Sequence, residues 1–326
     1  MKILIIGGTI FLGKHLVKII DNEKHDLAIF HRGNHNIELD ENVEEILGDR
    51  RENLDLLKNQ KWDVVIDTCG YFPEDVKKSV EYLKDKTNKY IFISTISVYK
   101  DFSEKIDESS EINYKKGKLD KEDGNNYGPF KARCEKVVQK YFKEKSVIIR
   151  PGLIVGPDDP SDRFTYWIDR ISKGGKIIAP GRKDREIQFI DVRDLAKWII
   201  KIAEKDFTGI YNAAGPDYKL RMDKFLDKIT EYFENNLQFF WIEDEYLLDK
   251  KVKPWIELPL WLPDSYNMKG MMMVDSKKAI SKGLKFRNVK KTIKGTYQWF
   301  QKKERELKIG LKKEKEKEII KLYSTI

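Results

Sequence analysis

Cysteine is nearly absent from this chain of 326 residues, which has two. Cys69 and Cys134 stand in unrelated contexts with no CxxC or CxxH spacing, so neither a disulfide framework nor a metal site is expected, and both read as packing residues. Long apolar runs are missing too. No stretch reaches the roughly 20 residues of a membrane span, and the opening residues show neither a basic leader region nor a small-residue cleavage site. Neither an anchor nor a signal peptide is expected, and the cytoplasm is the expected compartment. Internal repeats and low-complexity linkers are also lacking. The length suits one large α/β domain, or a nucleotide-binding domain with a smaller second lobe.

An excess of acid is likewise absent: 63 Lys and Arg stand against 54 Asp and Glu, a net charge of +9. That balance raises a nucleic-acid partner. Most of the lysines, however, are spread singly over polar faces. The last stretch, QKKERELKIGLKKEKEKEIIKLYSTI, mixes both signs at a spacing that reads as a solvated helix with many i,i+4 pairs. A small-molecule partner is therefore expected, and a nucleic acid or a membrane is not.

What is present is alternation. Apolar runs KILII (2–6), DLAIF (26–30), EEIL (44–47), DVVID (63–67), KYIFIS (89–94) and SVIIR (146–150) are mostly separated by helical patterns such as PEDVKKSVEYLKD and YGPFKARCEKVVQKYF. Near-continuous apolar strands alternating with helices predict a doubly wound parallel sheet covered on both faces, the Rossmann-like α/β class. Residues 1–150 form this nucleotide-binding part. Residues 151–300 complete the sheet through VRDLAKWIIKIAEK (192–205) and GIYNAA (209–214), and supply a smaller substrate lobe, mainly 151–187 and the aromatic, proline-rich 234–273. Residues 301–326 form a charged helical tail.

Two local patterns carry chemistry. MKILIIGGTIFLG drives a strand into a glycine turn and then a helix, which aims free helical N–H groups and the positive end of the helix dipole at an anion, typically a phosphate. In NNYGPFKARCEK, Tyr127 and Lys131 are four apart at a helix start, with Pro129 tolerated in the first turn. An ammonium beside the phenol favours the phenolate, pulling a pKa of about 10 toward neutrality.

These patterns, with KYIFISTISVY (89–99) between them and IIRPGLIVGP (148–157) and QFIDVRDLA (188–196) downstream, resemble the short-chain dehydrogenase/reductase superfamily. The likeness is to its extended or atypical NAD(P)-dependent epimerase/dehydratase branch, and GIYNAAGP, LPLWLP and KGLKFR are similar to a subgroup whose glycine motif reads GGTxFLG. It covers about residues 1–300. It implies Tyr127 as acid/base, Lys131 as the group that lowers its pKa and holds the nicotinamide ribose, and Thr95, four residues before the tyrosine of the Val98-Tyr99 pair, as the hydroxyl that bonds the reacting oxygen. Ser94 and Ser97 are alternates. Cofactor contacts are implied at Gly7, Thr9, Ile10, Phe11, Leu12, Gly13, His31, Arg32, Asp49, Cys69, Tyr127, Lys131 and Pro151.

The departures narrow the reading. Ile10 stands where the family's middle glycine falls. His31 occupies the place of the acid that accepts from an NAD ribose, and Arg32 follows it; a fixed cation suits a 2′-phosphate, so NADP is expected over NAD. Ile96 and Ser97 replace the acid pair of the family's dehydratases. Leu153 and Ile187 replace an Asn and an Arg that bind a nucleotide diphosphate, with Arg185 two residues away. The expected function is an NADP-dependent oxidoreductase of a small alcohol or ketone, with Thr95, Ser97, Leu153, Trp255 and Trp261 at the substrate. An epimerase with tightly held cofactor and a catalytically silent RNA-binding member are the alternatives, and a homodimer is left open.

Overall fold

The run KILII forms β1 (Lys2–Ile6), buried from Ile3 onward because both faces of the sheet are covered. The computed structural model describes residues 1–22, 25–233, 235–303 and 305–325. After β1 come β2 (Asp26–His31), β3 (Glu44–Leu47), β4 (Trp62–Asp67), β5 (Thr87–Ile93) and β6 (Ser146–Pro151), and strand Gly209–Ala213 closes the sheet. The seven strands are all parallel, in the order β3, β2, β1, β4, β5, β6 and then 209–213. The order reverses between β1 and β4, and at such a switch point the loops leaving the strands part to leave a crevice.

Helices cover the sheet as the alternation predicts. On one face, α1 (Phe11–Asn22) joins the later helix Val192–Glu204, around Leu16, Ile20, Trp198 and Ile199. On the other, α2 (Pro73–Leu83) and α3 (Tyr127–Phe142) share a core of Val76, Val80, Phe92 and Val138. A separate core forms beyond the sheet, where α4 (Arg163–Ser172) packs with helices Met222–Phe233 and Val289–Gln301 around Phe164, Trp167, Phe225 and Trp261. A two-stranded parallel sheet, Gly175–Pro180 with Leu237–Ile242, closes this lobe.

The charged tail departs from the solvated helix that its composition suggests. Helix Lys313–Tyr323 docks on the second lobe, burying Ile319 and Ile320, while the Glu316 carboxylate accepts from Arg170 Nε at 2.8 Å and from the Ile178 N–H at 3.0 Å. Its apolar stripe is two isoleucines wide, which a dense run of lysine and glutamate hides from a composition reading. No helix among the described residues is long and apolar enough to cross a membrane.

Candidate active site

Gly7 and Gly8 both adopt left-handed backbone, with φ of +102° and +100°. A Cβ at Gly7 would lie 2.4 Å from Thr68 Oγ1, and one at Gly13 would lie 2.7 Å from the Gly8 Cα. The turn is therefore stripped of side chains where β1 meets α1, and a helix start offers its free N–H groups there. Thr9, Phe11 and Leu12 line the cleft beside it, and Ile10, in the place of the middle glycine, is 49% exposed there. The cleft, about 800 Å³, runs without a break from this turn past Thr95, Tyr127 and Lys131 to Pro151, Leu153 and Trp255.

At the far end of β2, His31 is committed to the protein. The Gly33 N–H donates to its Nδ1 at 3.1 Å, which leaves Nε2 to donate to Glu45 at 2.9 Å. Glu45 arrives from β3 and lies outside the cleft lining, so this pairing could not be read from local sequence. Arg32, exposed on the cleft rim, makes no hydrogen bond or ion pair among the described residues. Asp49 accepts from the Arg51 N–H at 2.8 Å, as a turn residue does, and also lines the cleft. Beneath it the Arg50 guanidinium grips the buried Asp67 at 2.9 and 2.8 Å, and Tyr90 donates to the same carboxylate at 2.8 Å. Cys69 lines the cleft next to this pair, where burial pushes its thiol up.

The reacting centre forms where β5 meets the start of α3. Thr95 caps a short turn, accepting from the Ser97 N–H at 3.1 Å and donating to the Ser97 hydroxyl at 3.1 Å. Gly128 lets α3 close on that turn, since a Cβ there would fall 1.9 Å from the Ser97 carbonyl oxygen. This contact sets Tyr127 against Thr95. Tyr127 is 42% exposed along the open cleft, with protein packed around the rest of its side chain. Burial, with Tyr71 adding to it and the Thr95 hydroxyl opposing, pushes the phenol up to about 12.

That direction corrects the expectation that Lys131 pulls the phenol down. The Lys131 ammonium, buried and itself lowered by that burial, donates to the Gly70 and Ile93 carbonyls at 2.7 and 2.6 Å and lies 4.1 Å from the Phe92 ring centroid. It touches the cleft without being aimed at Tyr127. Ser94 is removed as an alternate hydroxyl, because it donates to Glu135 at 2.5 Å. Glu135 also takes Arg150 at 2.9 and 2.6 Å, and Arg150 reaches the Tyr99 hydroxyl, which donates to Asn212 at 2.7 Å. This buried chain ties α3, β6 and strand 209–213 to the turn that carries Thr95, and no local motif announced it.

At the substrate end, Trp255 lines the cleft and Trp261 does not. Trp261 is fully buried and donates to Asp244 at 2.8 Å, so it belongs to the lobe's core. Arg185 is turned the same way, paired with Asp244 at 2.5 Å and absent from the cleft wall. Asp159, Arg163, Gln188, Met271 and Met272 line the cleft although the motifs did not select them. The available signal was the run PDDPSDR after the sixth strand, rich in proline and aspartate as loops are.

Comparison with known proteins gives three findings. The sequence model of the NAD dependent epimerase/dehydratase family matches residues 3–214. A chloroplast stem-loop binding protein of 41 kDa b from Arabidopsis thaliana is 28% identical over 244 residues, which cover 67% of this chain and 59% of the relative, so the match spans less than two thirds of that protein. Among solved structures, the fold is shared with a UDP-N-acetylglucosamine 4-epimerase from Methanobrevibacter ruminantium, at TM-score 0.70 and 18% identity over 92% of this chain and 98% of that one. It is also shared with the Bordetella bronchiseptica enzyme WbmH in complex with NAD+, at TM-score 0.68 and 14% identity over 92% and 99%.

Proposed function

The chain belongs to the NAD dependent epimerase/dehydratase family, and on that premise we propose that it interconverts a secondary alcohol and a carbonyl by hydride transfer. The observation that carries this reading is the single cleft in which the glycine turn, Thr95, Tyr127 and Lys131 meet. The residues fit a nicotinamide dinucleotide: the side-chain-free turn leaves room for a pyrophosphate at the start of α1, and Lys131 and Pro151 lie along the same wall. The bound nicotinamide supplies the hydride acceptor or donor. Thr95 orients the substrate oxygen, and Tyr127 exchanges a proton with it. A phenol at about 12 is protonated at neutral pH, so the resting site is set to give a proton to a carbonyl oxygen. Positive charge entering the cleft lowers that pKa and favours the reverse direction.

NADP over NAD is our reading of the rim, supported by the unpaired Arg32 and by His31 standing at the end of β2 in place of an acid, with Glu45 held on it outside the cleft. A second reading, favoured by the neighbours named as nucleotide-sugar epimerases, returns the hydride to the same substrate, with no net redox change. Against a nucleotide diphosphate stand Leu153, Ile187 and the turning of Arg185 toward Asp244. A stem-loop-binding role, suggested by the name of the plant relative, loses weight because basic residues of the tail are engaged within the protein, Arg305 on Asp162 and Lys315 on Glu257.

The test is Tyr127→Phe, followed by cofactor absorbance with NADPH and NADH against sugars, cyclitols and cyclic ketones. Turnover should fall by about 10²- to 10⁴-fold with folding and cofactor affinity retained. Turnover close to that of the wild type would remove the hydride reading.

A further inference from the structure

The loop 157–163 that closes the substrate end carries three aspartates, and they are treated differently. Asp158 accepts from Lys14 and from Trp299 Nε1, both at 3.2 Å. Asp162, wholly buried, takes both ends of the Arg305 guanidinium at 2.6 and 2.7 Å and the Lys308 N–H at 3.0 Å. These two tie the loop to α1, to the last core helix and to the tail. Asp159, between them, is 1% exposed and uses only Oδ1, which accepts from the Ser161 N–H at 2.8 Å. Its Oδ2 is buried with no partner among the described residues.

Four positions on, Arg163 opens α4 and is left in the same condition. Its Nε is buried without a partner, and its guanidinium lies 5.5 Å from the Trp255 ring centroid. Asp159 and Arg163 face the same cleft without forming an ion pair, although each is within electrostatic reach of the other. Leaving two opposite charges unsatisfied at one spot is costly, and such groups persist where a ligand completes them.

The chemistry of the missing partner follows from what each side chain lacks. An ionised carboxylate only accepts, and a guanidinium only donates. A lone anion would suit Arg163 and repel Asp159, an ammonium would do the opposite, and a single hydroxyl bridging the two, donating to Asp159 and accepting from Arg163, would leave the other guanidinium N–H groups without an acceptor. Two adjacent hydroxyls complete both, since each can donate and accept. Trp255 offers an apolar face for the ring that bears them. We propose that Asp159 and Arg163 form a substrate-reading pair that takes neighbouring hydroxyls of a sugar or cyclitol ring laid against Trp255. The pair rests on the hydride-transfer reading for its place in a reaction, and it names the substrate class of that site: a polyol recognised by its ring hydroxyls, without a nucleotide diphosphate handle.

The experiment is calorimetric titration of the cofactor-loaded full chain with glucose, galactose, mannose and myo-inositol, with cyclohexanol as the ring bearing one hydroxyl. At least one polyol should bind saturably and more tightly than cyclohexanol. Asp159→Asn should weaken it about tenfold and Arg163→Met about 10- to 100-fold, with the cofactor dissociation constant within about twofold of the wild type as the control for folding. Arg163→Lys, which keeps the charge and loses the planar fork, should fall between. Absence of polyol binding, or affinities unchanged in all three variants, overturns the pair. Polyol binding without any change in cofactor absorbance and without interconversion of the polyol breaks the hydride reading and leaves the pair standing, whereas turnover of cyclohexanol that none of the variants alters does the reverse.

Discussion

Two aspartate–arginine couples lie at opposite ends of the cleft, one with its aspartate buried beneath the wall, and behave in opposite ways. At the nucleotide end Arg50 and Asp67 meet through two bonds, Ser79 accepts the Arg50 Nε–H at 3.0 Å, and Tyr90 completes the carboxylate. Burial opposes the charge, but the Arg50 guanidinium, Tyr90 and Lys131 together outweigh it and hold the Asp67 carboxyl below its ordinary value. At the substrate end Asp159 and Arg163 stay apart, and burial pushes the Asp159 carboxyl up to about 6. Burial alone therefore does not tell what a charged pair is for. A pair whose bonding is complete is scaffold, and a pair whose bonding is incomplete holds a place for something else.

The largest effect should come from breaking the complete couple. Arg50→Met leaves a buried carboxylate without its cation and should cost about 3–5 kcal/mol in urea unfolding. Asp67 has a folded pKa below its unfolded one, so the stability it contributes is present above the unfolded value and lost as pH falls. The penalty of Arg50→Met should accordingly shrink toward about pH 4 and below, where the carboxyl takes a proton. A cost independent of pH would mean that the bonds between Arg50 and Asp67 do not hold the charge.

The incomplete couple should respond with the opposite sign. Asp159 has a folded pKa above its unfolded one, so its contribution is full below the unfolded value and lost as pH rises through about 6. Asp159→Asn keeps an oxygen for the Ser161 N–H and removes the charge. It should stabilise the ligand-free protein by about 2–3 kcal/mol above pH 7, with the gain vanishing near pH 4. Thermal unfolding across that range reads the crossover, and a variant less stable at every pH would place Asp159 with the scaffold.

The smallest effect concerns a third arginine. Arg32 is also unpaired, but it is exposed, and an unpaired cation in water costs little. It sharpens the contrast because only a ligand could make its position matter. Arg32→Ala should reduce any preference for NADPH over NADH by about tenfold, or ~1.4 kcal/mol, in paired fluorescence titrations. Equal affinities for the two cofactors in the wild type would show that Arg32 does not read the ribose.

Much of the scaffold was legible because its signals are local. KILII, EEIL and YGPFKARCEKVVQKYF map onto β1, β3 and α3 residue for residue, since apolar runs and helical spacing are set by neighbours in the chain. Around the candidate site, legibility stopped where the partner was distant. The HR dipeptide placed His31 and Arg32 at the ribose, but Glu45 claimed His31 from an adjacent strand. YxxxK placed Lys131 one turn from Tyr127, but its ammonium donates to the Gly70 and Ile93 carbonyls instead. Two tryptophans in the stretch VKPWIELPLWLPD looked equivalent, and only packing separated Trp255 at the cleft from Trp261 in the core.

The sequence by itself determined the parallel sheet, the glycine turn after β1 and the presence of Thr95, Tyr127 and Lys131 on the elements that follow, because period and turn chemistry act over a few residues. Only the tertiary structure decided what those groups are able to do. It joined Arg305 to Asp162 across 143 positions and so held the loop that leaves Asp159 unpaired, and it set Tyr127 against Thr95 and Tyr71, where the surrounding protein raises the phenol so that it rests as an acid. The state of a charge depends on the water removed from it and on the partners brought to it, and both are set by contacts between residues far apart in the chain.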